Sequence, residues 1–173
     1  MSYRTRNLFR TISALIAVPA VVACDHRVPR MSEEEIAELK AFSPGMTTDC
    51  VEKARFGGLN AISSLSVEQC FDMAPARRWR GLWRNDFEGS RFCPEPMQEC
   101  GYDAPGEDVW LSYSESLQPP PSWPQVGSGG MHEVEFVGRR TAKRGHYAHS
   151  GSSDHELVVD RVISIRPLLA PKN

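Results

Sequence analysis

From Arg77 the chain alternates. Trp79, Gly81 and Trp83 fall on one side of a period-two pattern, and Arg78, Arg80, Leu82 and Arg84 on the other. That spacing predicts a strand with an aromatic core face and a mostly cationic outer face. Asp86 to Ser90 supplies a turn and Arg91-Phe92-Cys93 a short return strand. Val109 to Tyr113 is the next strand, Glu133 to Gly138 another, and Glu156 to Ile165 a longer, valine-rich one. Pro167 is expected to end the sheet. The polar stretch from about Ala142 to Asp154, between the last two strands, is long for a hairpin.

Ahead of Arg77 the pattern is helical. Ser32-Glu33-Glu34-Glu35 reads as a capping box, and Ile36, Leu39 and Phe42 supply a narrow apolar stripe that Ser43-Pro44-Gly45 stops. Residues 45–62 show no clear period and read as loop, with at most one turn of helix after Thr48. Ser66 to Gln69 is a second capping box. Val67, Cys70 and Phe71 follow at i, i+3 and i+4, which puts Cys70 on a buried face. Residues 94–106 read as loop, and 117–130 as a stiff polyproline piece followed by a flexible glycine piece.

Two short helices (residues 32–75) and then four to five strands (76–168) predict one mainly β, α+β domain over residues 32–173. Its expected form is a small OB-like β-barrel or a coiled antiparallel sheet, with an irregular α+β sheet as the alternative. A strand with a central glycine, a turn, further strands and a final valine-rich strand resembles the layout of OB-type barrels. The strands are too few for an eight-stranded lipocalin barrel. The stretches RRWRGLWRNDFEGSRFCP and VEFVGRRT…GHYAHSGSSDHELVVDRVISIRPL also look similar to uncharacterised proteins of alphaproteobacteria, a similarity that brings no activity with it.

The N-terminus follows another logic. Arg4, Arg6 and Arg10 precede a 13-residue run, Thr11 to Ala23, without one ionisable side chain. This is the basic and then apolar layout of a secretory signal, and it is shorter than the ~20 apolar residues of a membrane span. The run closes on Val21-Val22-Ala23-Cys24, which resembles the lipobox of bacterial lipoproteins, with Val where Leu is commonest. The resemblance implies cleavage after residue 23 and a lipidated Cys24. Residues 24–31 then form a tether, and the domain is held at a membrane of the cell envelope, facing the periplasm.

Four further cysteines remain: Cys50, Cys70, Cys93 and Cys100. An even number in an exported domain reads as two disulfides, and Cys50–Cys70 with Cys93–Cys100 is favoured because both bridges close compact local loops. The spacings lack the close C-x₂₋₄-C pair of a zinc site.

Composition adds less. The formal charge is −2 over 173 residues, and losing residues 1–23 removes three Arg and no acid, leaving −5. That balance and export both disfavour nucleic acid as a partner. An anionic ligand or an envelope protein remains a candidate partner for Arg78, Arg80 and Arg84, whose alternative role is cross-strand pairing with acids. His146, His149 and His155, with Asp154 or Glu156, form a candidate metal set, although a Gly/Ser-rich loop and this spacing match no strong rule. The chain has no G-x-S-x-G, P-loop, dinucleotide fingerprint or H-E-x-x-H motif. No cofactor is implied. The sequence therefore points to a binding or structural module, the alternative being a periplasmic metal-binding protein or metal-dependent enzyme built on the histidine loop.

Overall fold

The alternation that begins at Arg77 runs the length of the first strand. β1 (Arg77–Asp86) buries Trp79, Gly81, Trp83 and Asn85 and leaves the residues between them partly or fully exposed. The computed structural model describes residues 30–121, 123–148 and 151–168. Cys24, the leader and most of the tether lie outside the described residues, as do His149 and Ser150.

β1 pairs antiparallel with β2 (Gly89–Pro94) on one side and with β4 (Met131–Arg140) on the other. The central glycine of β1 is required by this packing, since a Cβ on Gly81 would lie 2.2 Å from the Cys93 carbonyl oxygen. β4 pairs antiparallel with β5 (His155–Leu168), and β5 pairs with β3 (Val109–Tyr113). Pro167 lies inside β5, opposite His132, so the sheet ends one residue later than expected. Two register irregularities between β4 and β5, at Glu135/Phe136 and Val137/Gly138, bend the sheet toward closure.

The order β2-β1-β4-β5-β3 brings β2 and β3 side by side. No ladder joins them, but the Ser90 hydroxyl on β2 donates to the Leu111 carbonyl on β3 at 2.8 Å. The result is a five-stranded, nearly closed barrel of OB-like layout. One feature corrects the antiparallel expectation: β3 runs parallel to β5. The reason is topological. Directions cannot alternate all the way round a ring of five strands, so at least one neighbouring pair must be parallel.

The barrel is filled by Trp79, Trp83, Phe92, Val109, Leu111, Val134, Phe136, Leu157 and Val159. Phe92 meets Trp79 and Phe136 edge-on at centroid separations of 6.2 and 5.2 Å, the geometry that aromatic quadrupoles favour. The Trp79 indole N–H donates to the Gly138 carbonyl at 3.1 Å, so its polar atom is satisfied inside.

The helical segment packs outside the barrel. α1 (Glu33–Phe42) starts at the expected capping box, with the Ser32 N–H donating to Glu35 Oε2 at 2.7 Å, and buries Ile36. α2 (Thr48–Gly57) is a full helix where at most one turn was expected. The Thr47 hydroxyl accepts the Cys50 N–H at 3.3 Å, and Cys50, Val51 and Ala54 are buried. That stripe is three residues wide and broken by Glu52 and Lys53, too little to register as a period. α3 (Val67–Cys70) is one turn, with its buried Cys70 as expected. Cys50–Cys70 ties α2 to α3, and Cys93–Cys100 closes the loop after β2, the pairing that local loops favoured. Bridges Met46–Phe71 and Met73–Thr141, with the Ala74 N–H on the Arg140 carbonyl at 2.7 Å, fasten the helical segment to the barrel.

Candidate functional site

Between that segment and the barrel lies a cleft of about 550 Å³. Its floor is the outer face of the parallel pair. Val109 and Leu111 of β3 point into the core, so the intervening Trp110 and Ser112 point outward. On β5, Leu157 and Val159 point inward and Glu156 and Val158 outward, level with Trp110 and Ser112 respectively. One wall is Leu65, Val67, Glu68 and Phe71 around α3, and the other is His146, Tyr147 and Ala148 from the loop between β4 and β5.

Both walls are fastened. The Tyr147 hydroxyl donates to the Pro44 and Lys143 carbonyls at 2.9 and 2.8 Å, and its ring meets Phe71 edge-on at 5.0 Å. Tyr147 and Ser153 exchange backbone hydrogen bonds at 2.8 and 3.2 Å. Asp154 accepts from the Asp108 N–H at 3.0 Å and from Arg144 Nε at 2.8 Å. The opposite wall is held by Glu68, which accepts from the Ser114 hydroxyl at 3.0 Å and from Arg139 at 2.5 Å. Arg139 also grips Asp160, and the two carboxylates hold the guanidinium firmly protonated.

Glu156 is the chemically unusual residue of the cleft. Ser112 Oγ donates to its Oε1 at 2.7 Å, and among the described residues no lysine or arginine forms an ion pair with it. Burial pushes its carboxyl above the usual glutamate range, against the opposing pull of the Ser112 hydroxyl and the Ala148 N–H. A carboxyl half-withdrawn from water without a counter-charge is a costly arrangement, and such groups gather at functional sites.

His146 and His155 sit in different surroundings. His146 is exposed and stacks on Phe42 with centroids 4.5 Å apart. His155 is buried beneath the loop, where its Nδ1 meets the Thr141 carbonyl and hydroxyl, each at 3.1 Å. His149 lies outside the described residues. Among the described residues no group of three His, Cys, Asp or Glu side chains is placed to hold a metal ion.

Arg77 of β1 stacks on the Trp79 ring, Arg84 meets an acid of its own strand, and Arg78 and Arg80 meet acids from neighbouring segments. Arg78 pairs with Glu135, and Arg80 lies 3.1 Å from Glu95 and 3.4 Å from Glu133, which Arg166 also engages. Arg84 sits 2.5 Å from Asp86 with its guanidinium over the Tyr102 ring. This outer face is therefore a lattice of matched charges.

Trp110 and Ser112 were not singled out by the sequence, and Glu156 was named only as an optional ligand of the histidine set. The available signal is the pair Val158-Val159: adjacent valines on a strand place apolar side chains on both faces, so something must cover the outer one. No family model matches the chain, and comparison with curated proteins and with solved structures found no match.

Proposed function

We propose that this chain is an exported, lipid-anchored binding module of the bacterial cell envelope whose ligand occupies the cleft over β3 and β5. The observation that carries the reading is the cleft itself. It has a size ordinary for small-molecule sites, which run roughly 300–1,000 Å³, mixed aromatic and polar walls, and one charge-uncompensated carboxyl. The cross-strand pairing of Arg78 and Arg80 makes the outer face of β1 the weaker claimant for an anionic ligand.

Export and anchoring rest on separate support. The basic stretch and apolar run lead into Cys24, and the other four cysteines are consumed in two disulfides, as in proteins of oxidising compartments. With more than one acyl chain on Cys24 the attachment is stable. A tether of residues 24–31 reaches at most roughly 28 Å when fully extended, so the domain works close to the membrane surface.

Two measurements test this reading. Intact mass of the membrane-fraction protein, with and without reduction and alkylation, is expected to show a chain starting at Cys24, diacylglyceryl mass and no free thiol. An unlipidated chain with four free thiols overturns the envelope reading. For the cleft, amide shift mapping with a library of small fragments is expected to move Trp110, Ser112, Ala148 and Val158 together. Shifts confined to Arg78, Arg80 and their neighbours would transfer the site to β1.

A further inference from the structure

Taking the cleft as the ligand site, we propose that it selects a small cationic amine, with the ammonium group on Glu156 and the carbon part against Trp110 and Phe71. Among the described residues, those lining the cleft include two carboxylates, Glu68 and Glu156, and no lysine or arginine. Glu68 shares Arg139 with Asp160 and so already has a cation beside it, which leaves Glu156 as the cleft carboxyl that no lysine or arginine engages among the described residues. An ionised carboxylate offers about four lone-pair positions, and Ser112 and Ala148 take only part of them. Their two donors fix the carboxyl group in place without satisfying it.

The walls favour the same ligand. Trp110, Phe71 and Tyr147 bring aromatic rings to the cleft, and ring faces attract cations. Tyr147 has both its hydroxyl contacts committed to backbone carbonyls, so it contributes its ring rather than a polar group. Val158 and Leu65 complete an apolar lining for an aryl or short alkyl portion. An anionic ligand meets an uncompensated like charge and, among the described lining residues, no lysine or arginine; His146, the one basic side chain there, is held in a stack on Phe42. A neutral ligand leaves Glu156 as costly as before. A primary ammonium supplies the missing charge and up to three donors. Burial raises the Glu156 carboxyl above its ordinary range, the state from which a counter-ion recovers the most free energy.

The test uses the purified, oxidised full chain with three probes of one shape: benzylamine, benzyl alcohol and benzoate. Amide shift mapping follows Ser112, Ala148 and Glu156, with the Trp110 indole N–H as a fourth reporter. Benzylamine is expected to bind on the order of ten-fold tighter than benzyl alcohol, the worth of one hydrogen bond to a charged group, and benzoate to bind weakest. Glu156→Gln keeps the shape and the Ser112 contact and is expected to erase the preference for the amine. Should that variant fail to fold, the ranking of the probes on the unaltered protein decides alone. Benzyl alcohol binding as tightly as benzylamine, or benzylamine binding unchanged to Glu156→Gln, overturns the amine assignment while the cleft stands as a site. No probe reaching the cleft at millimolar concentration overturns both.

Discussion

The indole N–H of Trp83 donates to the hydroxyl of Ser90 at 2.9 Å, and that same hydroxyl donates to the Leu111 carbonyl at 2.8 Å. One buried oxygen thus joins β1, β2 and β3 across the seam where the barrel lacks a ladder. Ser90→Ala leaves the Trp83 donor and the Leu111 acceptor unpaired in the core. A loss of about 1–3 kcal/mol is expected by urea unfolding, the cost of stranding buried polar groups. Hydrogen exchange should quicken first in β3.

Asn85 does the equivalent work at the barrel end. Fully buried, it donates to the Gln125 carbonyl at 2.7 Å and accepts the Gly127 N–H at 2.5 Å, pinning the loop between β3 and β4. Asn85→Ala is expected to raise exchange at Gly127 and Gly129 far more than at β5. Uniform acceleration across the molecule would show that the loop is not a separable unit.

The Glu156 carboxyl makes stability fall as pH rises. Its pKa is raised on folding, so the native state holds the proton more tightly. The contribution is complete below the ordinary value of 4.5 and is lost as pH climbs through the raised one. Glu156→Gln should therefore match the parent in acid and exceed it in Tm near neutrality. Equal Tm differences at both ends of the titration would refute this. Ser112→Ala, which removes a donor, is expected to push the carboxyl higher still.

Two histidines act in the opposite direction. Burial holds the imidazoles of His132 and His155 below the ordinary 6.5. In the unfolded chain they take up protons first, so stability declines from about pH 6.5 downward until the native values are reached. His132 has a buried Nδ1 without a hydrogen-bond partner among the described residues and lies beside Trp83. His132→Phe keeps a ring there and is expected to flatten part of the acid loss in a Tm series. His155→Phe removes the ring nitrogen that meets the Thr141 carbonyl and hydroxyl, leaving the hydroxyl with the Glu156 N–H, and should destabilise at every pH.

Cys50–Cys70 closes a loop with a sequence separation of 20 and holds the wall that carries Phe71. Replacing both cysteines by serine is expected to cost about 3 kcal/mol on loop-closure entropy alone. Fragment binding in the cleft should fall further than stability predicts, because α3 is too short to hold its place unaided.

Much of the fold was legible along the chain. Period-two alternation marks the inward Trp79 and Trp83, the capping box marks the start of α1, and short cysteine spacings point to the disulfide pairing that forms. These are local signals, carried by neighbours a few residues apart. α2 escaped because its stripe is narrow: Cys50, Val51 and Ala54 are buried, but Glu52 and Lys53 interrupt them.

What tertiary structure alone decided is direction, pairing and the cleft. The parallel alignment of β3 with β5 follows from closing an odd ring, a property of the whole sheet. Whether Arg78 and Arg80 present free charge depended on which acids β4 and the loop after β2 bring across, namely Glu135, Glu133 and Glu95. Ser112 and Glu156 stand 44 residues apart and become partners only when their strands lie side by side under a disulfide-held helical turn. A sequence states which side chains are polar. Whether water or protein meets them is decided by contacts between distant segments, and there the desolvation of Glu156 arises.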